Sequence, residues 1–84
     1  MDNKQITESY ITKDFYIASL LRALGFRLQS LDRSQGKFVN FIFADPENKA
    51  QEAISQYWNR NIQVDARTMV EAINEFKTRL YAKT

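Results

Sequence analysis

Apolar residues recur along the chain with two periods, and the places where the period changes divide it into elements. Ile17, Leu20, Leu21 and Leu24 fall at i, i+3, i+4 and i+7, which is one face of a helix. Thr12 stands before this run as an N-cap, and Asp14 sits where a helix dipole favours a carboxylate. Gly25 follows as a left-handed stop, with Phe26 placed to fold back on Leu21 in a Schellman ending. The spacing therefore predicts a first helix over 13–24. From Phe26 the period is two: Phe26, Leu28, Ser30 and Asp32 alternate with Arg27, Gln29, Leu31 and Arg33, as in a half-buried strand. Ser34-Gln35-Gly36 is turn chemistry. The run after it carries Phe38, Val39, Phe41, Ile42 and Phe43, and is apolar enough to predict a central strand covered on both faces. A β-hairpin across 26–44 follows.

Asp45-Pro46-Glu47 reads as a helix start: a cap, proline at the first helical position, then an acid in the first turn. Ala50, Ala53, Ile54 and Tyr57 continue with helical spacing, and the helix is expected over 46–59, broken by Asn59-Arg60-Asn61. Asp65 caps a last helix over 66–82, whose stripe is Met69, Ile73, Phe76 and Leu80. Two short segments, Tyr10-Ile11-Thr12 and Ile62-Gln63-Val64, are suited to extended structure. The fold class is α+β, with the hairpin packed against three helices in the order (β)αββα(β)α. If both short segments are strands, the order is a ferredoxin-like βαββαβ unit with an extra C-terminal helix. If neither is, it is a two-stranded hairpin carrying three helices. Residues 1–8 bury little and are expected to be mobile, leaving one domain over 9–84.

Composition removes several kinds of chemistry. At 84 residues the chain makes one small domain, and 44% hydrophobic with 26% charged residues is the balance of an ordinary globule, not of a disordered tail. No run reaches the about 18 apolar residues of a membrane span, and no apolar leader follows Met1, so the expectation is a cytoplasmic protein away from membranes. The absence of cysteine and histidine excludes disulfides, thiolate and imidazole metal sites, and Ser-His triads. Of the ten carboxylates, Asp14, Asp45 and Asp65 stand at helix starts, and Glu71 and Glu75 read as a solvated helix face. With only two glycines there is no phosphate-binding loop. The chain is expected to be non-enzymatic, with no cofactor and no metal.

Binding remains. Arg27, Arg33 and Lys37 surround the hairpin, and Arg60 and Arg67 flank the break after the second helix, where Tyr57 and Trp58 stand beside Arg60. Arginines interleaved with aromatic rings suit phosphate contact and base stacking on a single strand. These seven residues are the candidate nucleic-acid site. The opposing expectation is that Trp58 closes the core and the arginines are solvated, for the net charge is only +2 and acids are spread among the bases. Phe38-Val39-Asn40-Phe41 also fits the F-V-x-F tail of the RNA-recognition signature, although a buried strand matches it equally well. The alternative is a protein-interaction module or homodimer. One Trp, four Tyr and six Phe exceed what so small a core uses, and Tyr16, Trp58, Phe76 and Tyr81 cannot all be central. Candidate partners are thus single-stranded nucleic acid, a second copy of the chain or another protein.

The stretch from Tyr10 to Ala18, then Leu20-Leu21 and Gly25-Phe26, resembles the opening of a family of small prokaryotic proteins catalogued only as a domain of unknown function. The resemblance continues through Phe41-Ile42-Phe43-Ala44-Asp45, Tyr57-Trp58-Asn59 and Val64-Asp65-Ala66-Arg67, and covers about residues 10–81. It implies a single intact domain of bacterial, archaeal or phage origin, inside the cell. It draws attention to Tyr57-Trp58-Asn59 and to Asp65 and Arg67, and transfers no activity.

Overall fold

The computed structural model describes residues 8–36 and 38–81. In chain order it has β1 (Ser9–Thr12), α1 (Phe15–Ala23), β2 (Leu28–Gln35), β3 (Phe38–Ala44), α2 (Ala50–Trp58) and α3 (Ala66–Tyr81). The strands form one antiparallel sheet in the order β1-β3-β2. This is an α+β domain with the expected hairpin and three helices. Of the two short segments, only Tyr10–Thr12 lies in a strand; Ile62-Gln63-Val64 is not in a strand. A three-residue alternation carries too little pattern to separate a strand from an extended link. The expected mobile segment lies, apart from Glu8, outside the described residues, as does Ala82 at the end of the third helix. No helix among the described residues is long and apolar enough to cross a membrane.

The core lies between the sheet and the pair α1 and α3. Ile17, Ala18 and Leu21 from α1, Phe41 and Phe43 from β3, and Phe76 from α3 are all buried in one cluster. The Phe76 ring stands 5.1 Å from that of Phe41 and 6.4 Å from that of Phe43. Burying each of these rings fully stabilises the fold by about 2–3 kcal/mol. Alternation puts Phe41 and Phe43 toward the helices and Phe38, Asn40 and Ile42 away from them. The away face is open at Phe38 and Ile11, 55% and 56% exposed, while Asn40 on the same face is buried. The expectation of a strand covered on both faces is therefore corrected. The helices supply one layer, and the hydrophobic run of β3 is longer than that layer covers.

Strand β2 departs from simple alternation. Its pairing with β3 shifts register between Leu28 and Ser30, so Leu28 lies opposite Phe43 and Leu31 opposite Phe41. The bulge puts Leu31 on the core side in place of Ser30, where unbroken alternation would have buried a hydroxyl.

Helix starts also differ from the simplest reading. Asp14, not Thr12, caps α1: its Oδ1 accepts from the amides of Tyr16 (2.9 Å) and Ile17 (3.0 Å). The Thr12 hydroxyl accepts from the Asp14 amide instead. Pro46 and Glu47 form a turn, Asn48 takes a left-handed φ of 58°, and α2 begins only at Ala50. Asp45 still caps it from across that turn, with its carboxylate accepting from the amides of Lys49 (2.8 Å) and Ala50 (3.2 Å). Asp65 caps α3 as expected, accepting from the Thr68 amide and hydroxyl, both at 2.9 Å. Glu75 is no solvated ornament: it bridges Arg22 of α1 and Arg79 of α3, each at 3.1 Å.

Candidate nucleic-acid interface

The apolar stripe of α2 faces the core, with Ala50 buried and Ala53, Ile54 and Tyr57 packed against it. Trp58 is one residue further round the helix, about 100° away, and so points outward. It is 66% exposed. Its ring meets that of Tyr57 edge to face, 5.0 Å between centroids at 69°. Tyr57 thus anchors to the core and braces an indole that stands in solvent. The expectation that Trp58 closes the core is not met.

The chain then turns sharply. The Arg60 amide donates to the Tyr57 carbonyl (3.1 Å) and the Asn61 amide to the Gln56 carbonyl (2.8 Å), the paired bonds of a Schellman motif. The residue at the left-handed position of this motif is Arg60, with φ 62°. A side chain there costs about 1–2 kcal/mol relative to the right-handed region, and glycine is the usual occupant. Arg60 is exposed, and it shares this corner with Trp58.

The other expected residues divide between two ends of the molecule. Arg67 lies in the first turn of α3, close along the chain to Arg60, and makes an exposed ion pair with Glu71 at 3.3 Å. Arg27 precedes β2 and lines an open groove of about 380 Å³ together with Leu24, Phe26, Ala44 and Lys49. A second hollow of about 270 Å³ shares Leu24, Phe26 and Lys49 and is also lined by Gln56 and Ile62, which flank the Tyr57–Asn61 corner. Asp45, Glu47 and Glu52 also line these two hollows, and Trp58, about 200° round α2 from Gln56, points away from them. Arg33 lies elsewhere. Its Nη2 donates to the Arg79 carbonyl at 2.9 Å, in the last turn of α3, where a cation is favoured. Sixteen helical residues, about 24 Å, separate that end from the turn holding Arg67. Lys37 lies outside the described residues.

One pairing escaped the sequence reading: the Lys13 ammonium stands 5.1 Å above the Phe38 ring. Its signal was the alternation that separates Phe38, Asn40 and Ile42 from Phe41 and Phe43. Among the described residues no group of three or more acidic side chains is placed to hold a metal ion. Two carboxylates are perturbed, half-buried Asp32 and exposed Asp65. The Ser34 amide and hydroxyl hold Asp32 below its ordinary 3.8, and the Thr68 amide and hydroxyl do the same for Asp65.

Comparison with curated proteins and with solved structures gave no match. A family model described as Domain of unknown function (DUF5659) matches residues 7–82. That span takes in every strand and helix of the fold as well as the Trp58–Arg60 corner. The chain belongs to this family.

Proposed function

We propose that the domain binds single-stranded nucleic acid at the corner between α2 and α3. Trp58 stacks on a base, and Arg60 and Arg67 contact phosphates. The observation that carries this reading is Arg60 in a left-handed conformation beside an exposed tryptophan. Retaining a long cationic side chain at a strained turn, next to an indole outside the core, is the kind of local cost that accompanies a binding role. Stacking on such a ring is worth about 1–3 kcal/mol per base and tolerates any base. Arg33 takes no part, being committed to the far end of α3.

The test is binding of a labelled single-stranded oligonucleotide by fluorescence anisotropy at about 50 mM salt, where phosphate contacts are strongest. The double variant Arg60→Gly, Arg67→Ala is expected to bind at least about tenfold more weakly. It should also flatten the plot of log K against log salt by about 1.4, since each single-strand phosphate that a cation ceases to neutralise reduces the slope by about 0.7. Unchanged affinity and slope would remove this corner as the site and leave a protein partner as the reading to pursue.

A further inference from the structure

The two edges of the sheet are built differently. Along β2 the pairing is broken by register shifts at Leu28/Ser30 and Asp32/Gln35, and Arg27, Asp32 and Arg33 put charges on or beside it. Bulges and charges are the usual protection against pairing with another chain. Strand β1 has no bulge, and its only flanking charges are one acid, Glu8, and one base, Lys13, at its two ends. Ser9, Tyr10, Ile11 and Thr12 pair with Ala44, Phe43, Ile42 and Phe41 in unbroken register, and none of the four is charged.

The register also fixes which backbone groups of β1 are spoken for. The Asp45 amide donates to the Glu8 carbonyl at 2.9 Å, so Glu8 and Asp45 are a hydrogen-bonded pair. Bonded and non-bonded pairs alternate in an antiparallel ladder. Tyr10 and Thr12 therefore turn their amides and carbonyls toward β3, and Ser9 and Ile11 turn theirs outward. No strand lies along that edge among the described residues.

We propose that β1 is the contact through which two copies of this chain pair, antiparallel about a two-fold axis normal to the sheet. That symmetry keeps both helix layers on one side, so paired residues must share a face. Ser9 then lies opposite Ile11 of the second copy, and the reverse, each pair exchanging both outward backbone bonds. The acidic end of each strand, at Glu8, meets the basic end of the other, at Lys13. This charge match favours the antiparallel self-pairing over a parallel one. Ile11, more than half exposed in one copy, gains a neighbour across the axis. The result is a continuous six-stranded sheet, joined by a contact below about 1,200 Å², which makes it weak and concentration-dependent.

The experiment is sedimentation of the full chain together with amide hydrogen exchange, from about 10 µM to about 1 mM, since dimerisation follows mass action. The mass is expected to rise from 9.9 kDa toward twice that value. Tyr10 and Thr12 amides should exchange slowly throughout, while Ser9 and Ile11 slow by at least about tenfold as the dimer fills. Ile11→Pro removes an outward amide and leaves the bonds to β3 in place, so it should stay at the monomer mass with an unchanged circular dichroism spectrum. If that variant does not fold, the Ser9 and Ile11 amides of the natural chain decide. A constant monomer mass, a dimer whose Ser9 and Ile11 amides stay fast, or a folded Ile11→Pro that still dimerises would each overturn the proposal.

Discussion

Helices α1 and α2 end in the same backbone motif, and they differ in what occupies it. At the end of α1, Gly25 takes the left-handed position with φ 101°, and the Phe26 amide returns to the Leu21 carbonyl at 3.0 Å. Leu21 is fully buried and Phe26 packs against the core, so the apolar contact that accompanies such a turn is complete. At the end of α2 the same bonds are made, but Arg60 holds the left-handed position and the residues facing each other across the turn are Gln56 and Asn61, both exposed. One end is built for stability. The other retains backbone strain and keeps a cation and an indole in solvent. Equal hydrogen bonding thus accompanies unequal packing, and only side-chain identity and burial separate the two ends.

The contrast can be broken from its strong side first. Leu21→Ala empties a fully buried position and should destabilise the domain by about 2–5 kcal/mol, measured by urea denaturation. The two left-handed positions should then respond with opposite signs. Gly25→Ala is expected to cost at least about 1 kcal/mol through backbone strain alone, because an added Cβ meets nothing within 4 Å. Arg60→Gly should raise stability by about 1 kcal/mol, or about 4–8 °C in Tm for a domain of this size. If both lowered stability equally, Arg60 would be serving the fold. A smaller effect is expected at Trp58, where Trp58→Ala should change stability by no more than about 0.5 kcal/mol while weakening binding.

The effect of the cap on α3 should depend on pH. The folded pKa of Asp65 lies below its ordinary 3.8, so the cap contributes fully above that value and is lost as pH falls through the depressed one. Asp65→Ala should therefore lower Tm at pH 7 and converge with the natural chain at the most acid pH where both still fold.

Much of this fold was legible because cause and signal were close in the chain. Gly25 and Phe26 end α1 through contacts within a few residues, and the Ala50, Ala53, Ile54, Tyr57 stripe reports the buried face of α2 directly. What was hidden depends on partners far along the chain. The bulge in β2 follows from which β2 side chains must oppose Phe41 and Phe43. The late start of α2 follows from a left-handed Asn48 that no proline rule anticipates. The candidate site was legible as a set of residue types and not as a place. Tyr57 and Trp58 are neighbours in sequence, and a turn of about 100° puts one against the core and the other in water. Arg33 looked like its fellow arginines until the fold carried it to the C-terminal end of α3.

The corner between α2 and α3 carries the proposed function, and its single tryptophan is a reporter already in place. Trp58 fluorescence should be followed while single-stranded DNA, single-stranded RNA and duplex are added at about 50 and about 200 mM salt, a range over which phosphate contacts weaken steeply. Saturable quenching by the single strands is expected, strongest at low salt and fading at high salt. A flat trace at low salt, with the protein folded, would refute stacking on Trp58.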